Sequence, residues 1–398
     1  MFKIQNKDII FHVGNHQVEN LRLTPFDDQV CSFLSEFSKK LMIDKNAKRY
    51  TDLIALAFWC RKNNLIKLKN EKKSKEIRIG RGLIFHITPS NVPTNFFYSL
   101  IFGLLSGNSN IVKVPSKKFI QISIISSIIK KLLKKKKYRK LKKMITIIEY
   151  NNNNNITKFI SQNCDSRVIW GGDKTINNVR EFNLKPQANE ITFGDRYSIS
   201  IINTDTINTN KNNSNLERLT QNFYNDTMIM DQNACTSPHL VFWLGKNNKS
   251  LCKLFWNNLS KKIKKEYDFP DIALIDKYVK ICNDVTMKNF KSAKIYEDSL
   301  HVVRLKKLNF NLETLRGKWG YFYEYYLKSL DEILPFINSK YQTLTYFGIQ
   351  KKEILDFFKN NNPKGIDRVV PIGQSLHISL TWDGYDIIKS LSRGIDVK

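Results

Sequence analysis

Cys235 is the residue whose type and setting in this chain best fit covalent chemistry. It lies in the polar segment from Met230 to Pro238, between a helix-like pattern at Leu216 to Ile229 and a strand-like run at His239 to Trp243. A thiol in such a turn is more exposed than a core thiol, and its thiolate is a good nucleophile. The alternative is one more small buried residue, because free cysteine is commonly buried. The segment therefore indicates a candidate nucleophile.

Other polar residues that suit ligand binding follow short apolar runs and lead into helix-like patterns. They lie in three segments, Pro89 to Pro93, Pro115 to Lys118 and Gly171 to Thr175. The N-terminus of a helix carries unpaired N–H groups that bind phosphate, and a glycine pair lets the backbone approach closely. Neither a G-x-G-x-x-G fingerprint nor a P-loop pattern occurs. The alternative for Gly171 and Gly172 is an ordinary turn.

The elements that must position these residues alternate between strands and helices. Apolar spacing predicts helices at 26–43 and 50–64, then a charged linker from Lys67 to Lys75. Strands and helices then follow in turn, at Arg81 to Ile87, Thr94 to Ser106 with Gly107 as its cap, Ile111 to Val114, Phe119 to Leu133, Met144 to Glu149 and Val168 to Trp170. This pattern predicts an α/β fold with mostly parallel sheets and ligands beyond the carboxyl ends of the strands.

Length and charge limit the class of protein. The chain has 398 residues, 41% of them hydrophobic, and a net charge of +29. Charge alone would suggest a nucleic-acid partner, but Lys and Asn are enriched along the whole chain, with Asn tracts at 151–155 and 208–215. The densest lysine runs, Lys134 to Lys137 and Lys261 to Lys265, are predicted to be solvated helix faces. We therefore expect no nucleic acid, although a basic protein would attract a phosphorylated nicotinamide cofactor or coenzyme A.

The six cysteines form no C-x-x-C pair, so neither a zinc ribbon nor a disulfide framework is indicated. We expect a protein of the reducing cytoplasm. The first residues lack the apolar core of a signal peptide, and no apolar run approaches the roughly 18 residues of a membrane span. His86, His239, His301 and His377 are possible proton carriers but fit core positions better, and no metal site is predicted.

Six segments in order resemble the LuxC family of acyl-CoA reductases, within the aldehyde dehydrogenase superfamily. They are Ile87 to Pro93, Gly103 to Ser116, Val168 to Asp173, Phe193 to Ser198, Asp231 to Pro238, and Val370 to Gly373 with Trp382 to Gly384. The resemblance runs from about residue 78 to the C-terminus. It implies two Rossmann-like α/β domains and reduction of a fatty acyl thioester to the fatty aldehyde.

The resemblance also implies roles for individual residues. Cys235 would attack the thioester and carry the acyl group, and Asn91 would stabilise the oxyanion together with the backbone N–H of Cys235. The alternative for Asn91 is a turn residue, and for Lys113 a sheet-edge lysine. The implied cofactor-binding residues are Ser90, Lys113, Pro115, Ser116, Lys117, Gly171, Gly172 and Thr175.

The segment from Ser116 to Lys118 bears on the choice of cofactor. Dehydrogenases of this superfamily that prefer NAD often have a glutamate near this position, and its carboxylate would repel a 2′-phosphate. A hydroxyl and two ammonium groups should accept that phosphate, so the expected cofactor is NADPH. Glu190 departs from the Glu-Leu-Gly-Gly motif of hydrolytic relatives and is a doubtful base. A weak base suits an enzyme in which hydride must outcompete water.

The implied architecture is a cofactor-binding domain with N-terminal helices at 1–229, a catalytic thiol domain at 230–375, and a last segment at 376–398 that packs back on the core. Aromatic residues between Trp319 and Tyr326 could form an acyl tunnel, the core or a dimer contact. The acyl donor is acyl-CoA, a carrier protein or an acylated partner protein, and we expect a homo-oligomer. The alternative function is an acyl-transfer or assembly subunit that is acylated on Cys235 without productive hydride transfer.

Overall fold

A computed structural model describes residues 2–3, 8–74, 76–151, 153–209, 215–246, 249–309 and 311–398. Lys75 of the predicted linker, and Asn152 and 210–214 of the Asn-rich tracts, lie outside the described residues. The chain divides into two compact units, the first formed by Met1–Asp195 and Ser379–Lys398 and the second by Arg196–Ile378. The functional domain boundaries near 229 and 375 stay a prediction.

In the described part of the chain, helices occupy segments of four to eighteen residues. They are α1 (Asp28–Ile43), α2 (Thr51–Trp59), α3 (Lys62–Glu71), α4 (Asn95–Leu105), α5 (Ile120–Leu133), α6 (Arg139–Lys142), α7 (Asn154–Asn163), α8 (Asp173–Arg180), α9 (Leu216–Thr227), α10 (Lys249–Glu266), α11 (Ile272–Val285), α12 (Lys351–Asn361) and α13 (Ile387–Ser390). Short 3-10 turns lie at Ala47–Arg49, Lys136–Tyr138, Thr204–Thr206, Leu312–Thr314 and Leu330–Phe336.

The strands are short and mostly buried. They are β1 (Phe2–Lys3), β2 (Ile10–Val13), β3 (Gln17–Val18), β4 (Ile77–Gly80), β5 (Leu83–Ile87), β6 (Ser109–Lys113), β7 (Ile145–Glu149), β8 (Ser166–Trp170), β9 (Asn189–Phe193), β10 (Tyr197–Asn203), β11 (Pro238–Leu244), β12 (Phe290–Tyr296), β13 (Leu300–Leu305), β14 (Tyr321–Tyr326), β15 (Tyr341–Phe347), β16 (Arg368–Pro371), β17 (Thr381–Trp382), β18 (Tyr385–Asp386) and β19 (Ser392–Ile395).

The first unit is built on a six-stranded sheet with the order β2-β7-β6-β5-β8-β9, in which every neighbouring pair is parallel except β2 with β7. The chain adds β6 and β7 on one side of β5 and then β8 and β9 on the other. The order therefore reverses between β5 and β8, and such a switch point is where open α/β sheets bind ligands. The predicted strands and helices between residues 81 and 170 are confirmed, whereas α6 and α7, the latter starting in the Asn-rich tract, were not predicted.

Gly107 ends α4 as predicted. Its φ of 84° lies in the left-handed region, where glycine carries no steric cost. An added Cβ would also lie 2.1 Å from the carbonyl oxygen of Leu23, so only glycine fits this position.

The predicted helix at 50–64 is confirmed in part but is interrupted near Arg61, and the predicted linker at 67–75 was wrong over Lys67 to Glu71. The structure has two helices, because Arg61 is extended (φ −62°, ψ 144°) between α2 and α3. The second helix continues through Lys67 to Glu71 and buries Leu65 and Leu68. These two leucines give the lysine-rich segment an apolar face, and that face keeps it helical.

The second unit contains a seven-stranded sheet with the order β12-β13-β14-β11-β10-β15-β16. All neighbouring pairs are parallel except β12 with β13. Apolar side chains cover both faces of this sheet, with Tyr197 and Leu240 in one buried cluster and Phe223 and Trp256 in the other. The expected α/β fold with mostly parallel sheets is confirmed.

The C-terminal residues 379–398 belong to the first unit. There β19 pairs antiparallel with β4, and Arg78 Nε donates to Ser392 Oγ at 2.9 Å. Asn108 Nδ2 donates to the carbonyl of Leu391 at 2.8 Å, which ties the same segment to the start of β6. Across the part of the chain that the structure describes, no helix is long and apolar enough to cross a membrane.

Candidate functional site

Cys235 lies in the connection between α9 and β11, at the amino end of β11 in the second unit. It is a thiol of intermediate exposure. Its carbonyl oxygen accepts a 2.6 Å hydrogen bond from Ser198 Oγ, and the N–H of Ser237 donates to Ala234 O at 2.9 Å. We call residues 231–237 the thiol loop. Its backbone is held on both sides of Cys235.

The thiol loop begins with two non-glycine residues in the left-handed region. Asp231 has a φ of 54° and Gln232 a φ of 60°. This conformation costs about 1–2 kcal/mol per residue, so surrounding contacts must stabilise it. Tyr267 donates to the carboxylate of Asp231 at 2.5 Å, and the N–H of Trp319 donates to its carbonyl at 3.4 Å.

Gln232 supplies the larger part of that stabilisation. Its side chain is fully buried, and its amide nitrogen donates to the carbonyls of Pro238 (3.3 Å) and Tyr321 (3.0 Å). Its amide oxygen accepts from the N–H groups of Gly320 (3.2 Å) and Tyr321 (3.3 Å). One amide therefore fastens the thiol loop to β11 and β14. Sequence reasoning missed this residue, because its partners Gly320 and Tyr321 lie almost ninety residues away.

Asp226 fastens the other end of the thiol loop. Its carbonyl accepts from Ser237 Oγ at 2.8 Å, and its buried carboxylate accepts from the N–H groups of Gly373 (2.6 Å) and Ser375 (2.9 Å). Burial raises the pKa of Asp226 to about 6, although these donors partly offset that effect. Gly373 belongs to the motif Val370 to Gly373, and its contact with Asp226 links that motif to the thiol loop.

Two histidines of the second unit, His239 and His301, pack against tyrosines. His239 stacks on Tyr197 with ring centroids 5.6 Å apart, and its Nδ1 accepts from the N–H of Gly317 at 3.3 Å. His301 stacks on Tyr321, with centroids 5.8 Å apart. Burial lowers the pKa of His239 to about 3 and that of His301 to about 4, so both are neutral at pH 7. His377 is an exposed residue near the end of the unit.

The implied cofactor residues of the first unit gather at the carboxyl edge of its sheet. The loops after β6, β5 and β8 carry them, and these three strands are direct neighbours. Ser90 and Asn91 are exposed after β5, and Thr88 holds that loop by donating its hydroxyl to Lys113 O at 2.8 Å. The loops after β5 and β8 flank the switch point of the sheet.

At the end of β6, Lys113 is partly buried, and its Nζ lies 4.9 Å from the centre of the Tyr150 ring. Burial lowers the pKa of Lys113. Pro115 is buried, whereas Ser116 and Lys117 are exposed, with Ser116 Oγ 3.5 Å from the carbonyl of Tyr150. A hydroxyl and an ammonium group at the edge of the sheet suit a phosphate ligand.

Gly171 and Gly172 lead into α8, with Gly172 as its N-cap. An added Cβ at Gly172 would meet no atom within 4 Å, so open space lies in front of the helix N-terminus. At Gly171 an added Cβ would lie 3.1 Å from Thr175, a close approach that favours glycine. The turn therefore presents backbone and the helix dipole to a ligand.

Glu190 lies near the amino end of β9, at the edge of the sheet opposite these loops. Its carboxylate binds two guanidinium groups, accepting from Arg167 Nε at 2.7 Å and from Arg180 Nε at 2.8 Å. The structure does not bring Glu190 to the other implied residues of the first unit, and its hydrogen bonds indicate a structural ion pair.

A buried polar chain supports β5 and β8 beneath the loops. Trp170 Nε1 donates to Ser99 Oγ at 3.0 Å, Ser99 Oγ lies 2.7 Å from His86 Nδ1, and His86 Nε2 lies 2.9 Å from Asn110 Oδ1. Because Asn110 Oδ1 can only accept, His86 donates through Nε2, and Nδ1 of the neutral ring accepts from the Ser99 hydroxyl. Burial lowers the pKa of His86 to about 4, in agreement with this neutral form.

The Asn-rich tract follows β7 and lines a cavity at the carboxyl edge of the first sheet. Beyond β7 the structure has an open cavity of about 580 Å³, lined by Asp8, Asn151, Asn153, Asn154 and Asn155. Asn is enriched along the whole chain, so the sequence provides no specific signal for this cavity. In the described residues, no group of three or more His, Cys, Asp or Glu could hold a metal ion.

Comparison with known families gives a match over most of the chain. The family described as acyl-CoA reductase (LuxC) matches residues 24–310. The long-chain acyl-protein thioester reductase of Aliivibrio fischeri is 24% identical over 184 residues. That alignment spans 46% of this chain and 35% of the relative, so the chain matches about a third of the relative's length.

Solved structures share the fold at low sequence identity. AldH of Staphylococcus aureus has a TM-score of 0.59 and 14% identity, covering 92% of this chain and 87% of that one. The NAD-dependent benzaldehyde dehydrogenase of Corynebacterium glutamicum has a TM-score of 0.60 and 12% identity, covering 92% and 82% of the two chains. The aldehyde dehydrogenase-like fold expected from the sequence is thereby confirmed.

Proposed function

Because this chain belongs to the acyl-CoA reductase (LuxC) family, we propose that it uses NADPH to reduce a fatty acyl thioester to the fatty aldehyde through an acyl group carried on Cys235. The thiol loop is the observation that supports this most directly. It holds a thiol of intermediate exposure on a backbone fixed by Gln232, Asp226 and Ser198. A nucleophile needs such fixed positioning.

The first half-reaction is a thioester exchange. The Cys235 thiolate attacks the carbonyl carbon, the new S–C bond forms, and the bond to the donor sulfur breaks. The donor leaves as a thiolate that takes up a proton. In the second half-reaction the acyl carbon gains a hydride and the Cys235 sulfur departs as a thiolate, which releases the aldehyde. NADPH, when bound, would supply that hydride.

Residues of the first unit have proposed roles in stabilising the oxyanion and in binding the cofactor. Asn91, exposed after β5, is the proposed donor to the oxyanion, a role that typically contributes about 3 kcal/mol. The residues at the carboxyl edge of the first unit fit a dinucleotide, since Ser116 and Lys117 offer a phosphate site and Gly172 opens onto a helix N-terminus. The remaining proposed contacts are Ser90, Lys113, Pro115, Gly171 and Thr175.

The position of Glu190 suits this reaction. Glu190 is bound to Arg167 and Arg180, so its carboxylate is engaged away from the loops. Water activated by a base would hydrolyse the acyl-cysteine and yield an acid. The proposed donors are acyl-CoA, the substrate class named by the family, and an acylated protein, the class named for the relative from Aliivibrio fischeri. We also propose that the enzyme works as a homo-oligomer.

The test is NADPH oxidation with acyl-CoA of graded chain length, with the aldehyde trapped and identified. The native chain is compared with Cys235→Ala and with Cys31→Ala, whose thiol has the same intermediate exposure. We expect aldehyde from the native chain and from Cys31→Ala and none from Cys235→Ala. Mass spectrometry of peptides after exposure to acyl-CoA without NADPH should place the acyl group on Cys235.

Three outcomes separate the possible functions. Acylation of Cys235 without NADPH oxidation by any donor, including an acylated carrier protein, would indicate the acyl-transfer subunit instead. Aldehyde formation that survives in Cys235→Ala would overturn the role of this thiol. A folded native chain that is neither acylated nor active would remove the reductase proposal altogether.

A further inference from the structure

The helix α11 has its polarity inverted relative to an ordinary surface helix. Three of its four charged residues, Lys277, Lys280 and Asp284, bind towards the second unit. Lys277 is 2% exposed and donates to the carbonyl of Ser299 at 2.9 Å, while the buried carboxylate of Asp284 accepts from Tyr321 (2.7 Å) and Tyr323 (2.5 Å). Lys280 also binds Asp284, at 2.6 Å. The inner face is therefore held by polar bonds.

The outer face of the same helix is apolar. Its exposed residues include Ile275 (59%), Tyr278 (69%) and Val279 (52%), and Cys282 is also exposed. These positions follow the i, i+3, i+4, i+7 spacing of one helix stripe. Further large apolar side chains that are about half exposed or more lie in α11 and on the neighbouring edge strand β12, at Ile272, Leu274, Val285 and Ile295. A helix that buries lysine and aspartate while exposing this stripe requires a covering partner.

We propose that this stripe is a two-fold interface with a second copy of this chain. Seven large side chains that are each about half exposed leave on the order of 700 Å², close to the roughly 800 Å² per partner of a standard interface. The area matches what a stable dimer needs. This inference does not depend on the proposed reaction.

Charge favours another copy over other partners. The chain carries a net charge of +29, so two copies repel each other unless the contact surface avoids lysine or balances it. All fourteen residues of α11 are described, and its fully exposed charged side chain is Asp276, since Lys277 and Lys280 bind inward. Nucleic acid and anionic membranes would instead select a face that is basic throughout.

The neighbouring strand supplies the complementary charge. On β12, Lys291 and Lys294 are exposed, so the surface has an acidic side on the helix and a basic side on the strand. A two-fold contact presents both sides of one copy to both sides of the other. Opposite charges at the rim then fix the register while the apolar stripe contributes most of the affinity.

Sedimentation velocity of the full chain tests the proposal. Tyr278→Asp places a charge at the most exposed apolar position of the stripe, and Leu355→Asp on α12 is the matched control, since Leu355 is a 47% exposed leucine in the same unit. We expect Tyr278→Asp to reduce the size of the assembly and to raise its dissociation constant at least 100-fold, with Leu355→Asp unchanged. A native chain that is monomeric, or an assembly that Tyr278→Asp leaves intact, overturns the proposal.

The thiol of Cys282 gives a second readout that does not depend on size. Maleimide labelling of Cys282, followed at the peptide level, should be at least tenfold slower in the native assembly than in Tyr278→Asp. The buried thiols of Cys60 and Cys252 report folding, since they should stay unlabelled in both proteins. Equal labelling rates for Cys282 in the two folded proteins would show that the stripe is not covered by a second copy.

Discussion

The thiol loop of the second unit and the cofactor loops of the first unit are built in opposite ways. In the thiol loop, Gln232 is fully buried and makes four hydrogen bonds, and Ser198 and Ser237 hold the backbone around Cys235. In the cofactor loops, Ser90, Asn91, Ser116, Lys117 and Gly172 are exposed.

The difference follows from what each region must do. A nucleophile that forms and breaks a covalent bond gains from a fixed position, because misplacement by about 1 Å can cost 100-fold in rate. Loops that admit and release a dinucleotide gain from open space and exposed donors. Changes in the thiol loop should therefore cost stability as well as activity, whereas changes in the cofactor loops should alter recognition alone.

The largest effect is expected from Gln232→Ala. The change leaves the N–H groups of Gly320 and Tyr321 and the carbonyls of Pro238 and Tyr321 without their buried partner. Unsatisfied buried groups cost about 1–3 kcal/mol each, so we expect a loss of at least about 3 kcal/mol in the free energy of unfolding. Urea denaturation measures that loss.

Gln221→Ala is the matched control, because Gln221 is an exposed glutamine on α9 that binds Asn225 within the same helix. It should change the free energy of unfolding by less than about 0.5 kcal/mol. If the two variants lose the same stability, the thiol loop is not held in the way the structure indicates.

A smaller effect is expected from pH, and it arises from two buried groups that flank the thiol loop, His239 in β11 and Asp226 in α9. His239 has a folded pKa of about 3, below its ordinary value of 6.5. Between these two pH values His239 is protonated in the unfolded state and neutral in the folded state. The free energy of unfolding therefore falls as the pH drops from 6.5 towards 3. At about 1.4 kcal/mol per pH unit, the loss from this group is about 2 kcal/mol between pH 6.5 and pH 5. His239→Phe retains a ring against Tyr197 but cannot take up the proton. Its free energy of unfolding, measured at pH 7, 6 and 5, should therefore lack this loss on acidification.

Asp226 supplies a control of opposite sign. Its folded pKa of about 6 lies above the ordinary 3.8, so the folded state retains a proton that the unfolded state releases. This contribution is present at low pH and is lost as the pH rises through 6. Asp226→Asn should therefore make the acid loss of stability steeper. Parallel pH profiles for the native chain and both variants would contradict the assigned protonation states.

Much of the first unit could be predicted from the sequence, because β5, β6, β7 and β8 are short apolar runs and clear helix patterns follow β5 and β6; α7, between β7 and β8, was not predicted. The polar loops after them could be predicted for the same reason. The reversal of strand order between β5 and β8 could not, since it depends on which strands pair and not on any local pattern.

The supporting contacts of the thiol loop could not be predicted either. Gln232 is one polar residue in a turn, and its partners in β14 are almost ninety positions away. The break at Arg61 between α2 and α3 rests on one extended residue, and the inverted polarity of α11 arises because Asp284 meets two tyrosines from another strand. Each depends on tertiary contacts that override local pattern.

The smallest effect is expected in the cofactor loops, and it should appear in recognition without a change in stability. Ser116→Glu places a carboxylate where we propose that the 2′-phosphate binds, so the KM for NADPH should rise about tenfold, equivalent to about 1.4 kcal/mol. The KM for NADH should change little, because NADH lacks that phosphate. Since Ser116 is exposed and its hydroxyl lies 3.5 Å from the carbonyl of Tyr150, the free energy of unfolding should shift by less than about 0.5 kcal/mol.

Lys140→Ala, which removes an exposed positive charge on α6, controls for the change in the net charge of the protein. If Ser116→Glu raises the KM for NADPH and for NADH equally, the loop after β6 does not bind the 2′-phosphate. If it instead destabilises the fold as Gln232→Ala does, the contrast between the two regions fails.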